Sequence, residues 1–204
     1  MIRVGKPAPD FKTKAYSNGE IIDVSLSDYR GKWTVLFFYP GDFTFVWTTE
    51  VTAVAEKYDV FKNLNTEVLA VSVDSPFVHK AWVDNELSKA LKGKSIPYPM
   101  LADQDAAISK AYGVYDEDEK VCVRGVFVID PDGIVQTYEV LTPPVGRNIY
   151  ETLRQLKGAQ HVREKNGVEA LPAGWEPGKK TLKPSADLVG KVWEEWDVND
   201  AFNK

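Results

Sequence analysis

Apolar residues run unbroken from Trp33 to Tyr39 (WTVLFFY) and stop at Pro40-Gly41. A continuous β-favouring run of this kind predicts a strand buried on both faces. A loop from Pro40 to Trp47 follows. From Thr49 the spacing becomes helical, with Val51, Val54, Ala55, Tyr58 and Phe61 on one face and Thr48 or Thr49 placed to cap the helix. The alternation then repeats. Val68 to Val73 (VLAVSV) reads as a second buried strand, and Pro76 to Leu91 as a helix that carries His79 and Trp82. Two strand-helix units predict a parallel strand pair.

Further on, Pro99 to Leu101 reads as a short strand and Asp105 to Tyr112 as a short helix. Two β-rich runs, Gly125 to Ile129 and Ile134 to Val140, flank Asp130-Pro131-Asp132-Gly133, which is a hairpin signal. Asn148 to Asn166 shows helical periodicity through Ile149, Leu153, Leu156 and Val162, and beyond Gly167 the composition shifts to Pro, Gly and Lys. The order predicts a thioredoxin-like α/β fold: a central mixed sheet flanked by helices over residues 1–167, with a C-terminal extension over 168–204.

Composition narrows the function. The 204 residues carry 25 basic and 30 acidic side chains, a net charge of −5, with no long basic run to hold nucleic acid phosphates by bulk charge. The N-terminal stretch MIRVGKPAPDFKTKAYSNGE lacks the apolar centre of a signal peptide, and no segment approaches the roughly 18 apolar residues that span a bilayer. A soluble, cytoplasmic protein without nucleic acid or membrane partners is expected. With Cys122 as the single cysteine and only His79 and His161 as imidazoles, no intrachain disulfide and no cysteine-based metal site can form. Neither a metal nor a cofactor is expected, and both histidines read as ordinary packed or surface residues.

A loop that leaves a buried strand and enters a helix is where backbone N–H groups converge on an anion, which directs attention to Pro40 to Glu50. That segment, FFYPGDFTFVWTTEV, resembles the active-site segment of the peroxiredoxins, in particular the alkyl hydroperoxide reductase C and typical 2-Cys (AhpC/TSA) group, whose pattern is Pro-x-x-x-Thr-x-x-Cys. The likeness extends to GKPAPDF at Gly5, HKAW at His79, RGVFVIDPDGIV at Arg124, VGRN at Val145 and PAGWEPGKKTLKPSADLVGK at Pro172. In the family a cysteine thiolate attacks the peroxide, a threonine and an arginine hold it, and a proline shields the thiolate from water. The resemblance places these roles on Pro40, Thr44 and Arg124, with Glu50 on the helix and Arg147 as a second charge near the pocket. It also implies a homodimer or a ring of dimers, joined in part by the C-terminal tail, and a small anionic or peroxide ligand.

The departures fall on the chemistry. Trp47 stands at the peroxidatic position, Thr48 replaces the proline that usually follows, and Leu171 stands where the resolving cysteine would be. An indole forms neither a nucleophile at neutral pH nor a sulfenic acid nor a disulfide. It either plugs the pocket or swings out. The chain as written therefore reads as a catalytically degenerate, oligomeric binding or scaffold protein in an oxidative-stress setting. The alternative is a divergent peroxide reductase in which Cys122 works with an external thiol: two residues before Arg124 on an extended segment, its side chain would share a face with the guanidinium, which would lower its pKa. Against that, a lone cysteine between Val121 and Val123 more often packs than reacts. Of the six tryptophans, Trp33 and Trp82 read as core, whereas Trp175, Trp193 and Trp196 read as interface residues of the tail.

Overall fold

The computed structural model describes residues 2–202. They divide into two compact units, 1–149 and 150–204, and the expected boundary at 167/168 lies inside the second.

The first unit is built on a seven-stranded sheet. Its strands are β1 (Lys12–Ser17), β2 (Glu20–Ser25), β3 (Trp33–Phe38), β4 (Thr66–Ser72), β5 (Met100–Ala102), β8 (Arg124–Ile129) and β9 (Val135–Leu141), in the order β2-β1-β5-β4-β3-β8-β9. A separate two-stranded ribbon pairs β6 (Tyr115–Asp116) with β7 (Val121–Cys122). As the two apolar runs predict, β3 and β4 pair in parallel, Val35 opposite Val68 and Phe37 opposite Ala70. All six residues of β3 are buried, which a strand at the centre of a two-sided sheet requires. The Asp-Gly turn also forms: β8 and β9 are antiparallel, and Asp130 Oδ1 accepts from the backbone N–H of Asp132 and of Ile134, both at 2.9 Å. Gly133 sits in this turn at φ +78°, where a Cβ would collide with the Arg30 guanidinium.

Around the sheet lie α1 (Phe45–Glu56), α2 (Tyr58–Asn63), α3 (Pro76–Trp82), α4 (Ser88–Ala90) and α5 (Ala107–Ala111). The predicted helix from Pro76 to Leu91 is interrupted: the stretch Val83–Leu87 between α3 and α4 is π-helical. Leu36, Phe38, Leu69, Val71 and Phe127 form the centre of the apolar core. The second unit holds most of α6 (Ile149–Glu164), α7 (Val192–Glu195) and a tail with little regular structure. Within this unit Gly158 faces Leu171 and Trp175, and the Trp175 ring lies 5.3 Å from that of His161. Trp175 is thus buried in its own unit rather than offered as an interface residue, while Trp193 is 74% exposed. Among the described residues no helix is long and apolar enough to cross a membrane, and no group of three His, Cys, Asp or Glu side chains could hold a metal ion.

Candidate active site at the start of the first long helix

The sheet delivers its interior strand β3 to a short loop and then to α1. This helix starts earlier than the spacing of apolar residues predicts. Thr44 is its N-cap residue, extended at φ −92° and ψ 145°, and the Thr48 N–H bonds back to the Thr44 carbonyl at 3.2 Å. Thr48 and Thr49 lie inside the helix and do not cap it. The first turn escapes the apolar pattern because Phe45 faces out, 94% exposed. The Thr44 side chain does not cap the helix either; its hydroxyl donates to the Gly41 carbonyl at 2.6 Å.

Trp47 is therefore the third residue of α1, within the turn where unpaired N–H groups concentrate partial positive charge. Its side chain plugs the site and is fully buried. The ring stacks on Tyr39 at 4.3 Å with planes 12° apart, and the Arg147 guanidinium lies 4.9 Å from its centre. The indole Nε1–H is buried with no hydrogen-bond partner. An orphaned buried donor of this kind costs about 1–3 kcal/mol.

One turn further along, Glu50 is the hub of a buried charge network. Arg147 reaches it through Nε at 2.9 Å, Nη2 at 3.1 Å and its own backbone N–H at 2.7 Å, and Arg124 donates to the same carboxylate through Nη1. Further donors reach backbone carbonyls: Arg147 Nη1 bonds those of Phe38 (2.9 Å) and Gly125 (2.6 Å), and Arg124 Nε that of Pro143. Burial pulls the Arg147 guanidinium below its usual range, and Glu50 opposes that pull. The structure thus brings Trp47, Glu50 and Arg147 together directly and ties Arg124 to them through Glu50. Pro40 stands at the loop's entry, half-buried, and Thr44 at the helix start.

Cys122 is elsewhere. It lies fully buried in the core on the small ribbon, where desolvation pushes its thiol up to about 12 despite a hydrogen bond with Ser109. Arg124 spends its guanidinium on Glu50 and Pro143, so the expected lowering of the thiol pKa is not realised; the chain leaves the ribbon at Val123 before β8 begins. Against the ordinary value of 9.0, a thiol at about 12 holds about a thousandfold less thiolate near pH 8. Iodoacetamide is accordingly expected to label Cys122 about a thousandfold more slowly in the folded protein than in denaturant. Equal rates in a mass-resolved time course would contradict that burial.

Sequence reasoning missed the set behind the loop. His79, on α3, is fully buried, with Nδ1 2.7 Å from Asp42 Oδ2 and Nε2 3.2 Å from the Leu101 carbonyl. Tyr39 donates its hydroxyl to Asp42 Oδ1 at 2.7 Å, and the Asp42 N–H donates to Asp74 Oδ2 at 2.9 Å. Burial raises Asp42 above the usual carboxylate range, against the pull of His79, and raises Tyr39 well above an ordinary phenol. The available signal was Asp42 two residues ahead of Thr44 in a loop too short to leave its carboxylate in solvent.

Comparisons with known proteins bear on this geometry. Residues 4–138 match the model of the AhpC/TSA family, and residues 159–196 match the C-terminal domain of 1-Cys peroxiredoxin. A selenocysteine-containing peroxiredoxin of Peptoclostridium acidaminophilum is 59% identical over 202 residues, covering 99% of either chain. The alkyl hydroperoxide reductase C of Bacillus subtilis is 44% identical over 192 residues, 94% of this chain and all of the relative. The crystal structure of reduced Plasmodium vivax 2-Cys peroxiredoxin superposes with a TM-score of 0.84 at 36% identity, covering 92% of this chain and 98% of that one.

Proposed function

The chain belongs to the AhpC/TSA family, and on that premise we propose that position 47 is the reaction centre of a peroxide reductase and carries selenocysteine in the working enzyme. The observation that supports this most is the site itself. A fully buried indole occupies the third position of a helix, beneath an arginine, where a small anionic nucleophile fits and the indole N–H finds no hydrogen-bond partner. A relative 59% identical is named as selenocysteine-containing. The codon for selenocysteine, UGA, differs from the tryptophan codon UGG only in its third base, so a UGA read as tryptophan places an indole at the selenium position.

In this reading the selenolate attacks the terminal oxygen of a hydroperoxide. A selenium–oxygen bond forms as the oxygen–oxygen bond breaks; the alkoxide takes a proton and leaves as an alcohol, or as water from hydrogen peroxide. An external thiol then displaces water from the selenenic acid to give a selenenyl sulfide, and a second thiol releases the selenolate and a disulfide. Leu171 at the resolving position makes the external thiol necessary. Pro40 limits water access, the Thr44 hydroxyl oxygen is left as an acceptor for the protonated end of the peroxide, and Arg124 and Arg147, both held by Glu50, supply the positive charge that orients it. The enzyme works as a cytoplasmic homodimer or ring of dimers, in which residues 168–204 contact the partner; Phe45 (94% exposed), Phe77 (71%) and Trp193 (74%) are apolar side chains that self-association would cover.

A second reading rests on how completely Trp47 is packed against Tyr39: a natural tryptophan would make the chain a non-catalytic binding or scaffold protein on the peroxiredoxin fold. The gene separates the two. Codon 47 is expected to be UGA, followed by an RNA element that directs selenocysteine insertion; UGG at that position would leave only the second reading.

A further inference from the structure

The buried groups behind the loop have one proton to share. Both ring nitrogens of His79 face acceptors, Nδ1 the Asp42 carboxylate and Nε2 the Leu101 carbonyl; the Tyr39 hydroxyl, 3.4 Å from Nδ1, spends its proton on Asp42 Oδ1 at 2.7 Å. A neutral imidazole carries one N–H and satisfies only one of them. Both contacts are made when the pair holds one further proton, either on the imidazole or on Asp42 Oδ2 pointing back at Nδ1. The pair is then neutral overall. Without that proton, a lone pair meets a lone pair at 2.7 Å or 3.2 Å, and a net negative charge is buried.

This pair fastens a strained loop. Phe43, next to Asp42, sits in the left-handed region at φ +58°, which costs a non-glycine residue free energy unless its surroundings enforce it. The enforcing contacts meet at Asp42: the Tyr39 hydroxyl, the His79 ring and, through its N–H, Asp74. Tyr39 also carries the stacked side chain of residue 47.

We propose that the Asp42–His79 pair is a proton-dependent latch that holds the loop from Gly41 to Thr44, and with it the first turn of α1, in the pocket-forming arrangement. With the proton present the loop is fastened and residue 47 is presented from a wound helix; when the pair loses the proton, one contact fails and the strained segment relaxes. Other ionisable groups surround the latch. Asp74, at the end of β4, accepts from Asp42 and from Ser72 Oγ and favours keeping the proton. Tyr39 follows β3, and β1 contributes Tyr16, its one buried ionisable side chain. On the π-helical stretch beyond α3, Glu86 accepts from Trp82 Nε1 at 2.8 Å and from Thr48 Oγ1 at 3.1 Å, a separate tether on the same helical turn. No ionisable side chain comes from β5, which supplies only the Leu101 carbonyl. Asp42 and His79 are positioning residues in the peroxide-reductase reading, on which the functional meaning of the latch rests.

The test uses the chain as it stands, with Trp47 in place, so it does not depend on what residue 47 is in the working enzyme. Amide hydrogen exchange of residues 41–49, corrected for intrinsic exchange, is followed against pH beside the nitrogen chemical shifts of the His79 ring. Protection is expected to fall about tenfold, the effect of losing one buried hydrogen bond, with the same midpoint as the ring signal. His79→Gln is expected to lower protection in this segment and flatten its pH profile, while Glu86→Gln leaves the pH profile in place. Constant protection through the ring's titration, or a ring that lacks the shared proton while the loop is fully protected, would overturn the proposal. The titration of the parent protein decides the matter even if His79→Gln does not fold. Failure here leaves the assignment at position 47 intact, and a UGG codon there leaves the latch intact.

Discussion

Trp47→Cys is expected to turn an inert chain into a thiol peroxidase. With dithiothreitol as reductant, hydrogen peroxide consumption by the variant should exceed that of the parent by about a thousandfold or more, a gain of ~4 kcal/mol in barrier lowering. The parent should match the reductant-only blank. The gain is expected because everything around position 47 is already arranged for an anion: the unpaired N–H groups of the first turn of α1, the Arg147 guanidinium 4.9 Å from the ring centre, and a loop entering at Pro40. Removing the indole opens space next to Tyr39 where the substrate would sit. The void costs up to about 5 kcal/mol of packing, reduced by relieving the orphaned Nε1–H. The activity should survive Cys122→Ser, since that thiol is buried and lifted to about 12. An inert, unreactive Cys at 47 would show that the surrounding groups no longer form a working pocket.

Glu50→Gln is the most damaging single change expected for stability. One carboxylate bridges two guanidinium groups, and all three side chains are at most 3% exposed. Removing its charge leaves two buried cations facing each other. Breaking a buried pair from one side costs about 3–5 kcal/mol, and the amide nitrogen adds a donor where only acceptors are wanted. Urea unfolding should show the midpoint falling with little change in slope. Loss in Arg124→Gln should be smaller, because Arg147 still binds the carboxylate through Nε, Nη2 and its backbone N–H. A Glu50→Gln variant as stable as the parent would mean that the carboxylate's charge does not hold the two guanidinium groups in place.

The parts of the fold that were legible in the sequence are those where burial leaves a compositional mark. β3 and β4 are unbroken apolar runs because both faces of the central sheet are covered, and the β8–β9 hairpin announces itself through Asp130 and Gly133. The β1–β2 hairpin left no such run, since its strands are half exposed and rich in Lys, Glu and Asp. Its signal was the turn alone, Asn18-Gly19, with both residues at positive φ. The start of α1 was misplaced because the residue that opens the helix, Phe45, points to solvent and breaks the apolar spacing.

The candidate site was read by resemblance to a motif, which located Pro40, Thr44, Trp47, Glu50, Arg124 and Arg147 but not their bonding. That Glu50 joins both arginines joins positions 97 and 74 residues apart, which no local pattern carries. The shared face expected for Cys122 and Arg124 failed for a related reason: strand alternation holds only while the strand continues, and here it breaks at Val123.

The claim that ties these observations together is that residue 47 is the selenium-bearing nucleophile of a peroxide reductase. It is tested most directly by the mass spectrum of the peptide spanning residue 47, from protein purified from its natural source grown with selenium and alkylated under reducing conditions. A selenium isotope envelope on an alkylated residue 47 is the result expected. An unalkylated peptide with the mass of tryptophan at that position would contradict it, and the chain would then be a peroxiredoxin fold retained for binding.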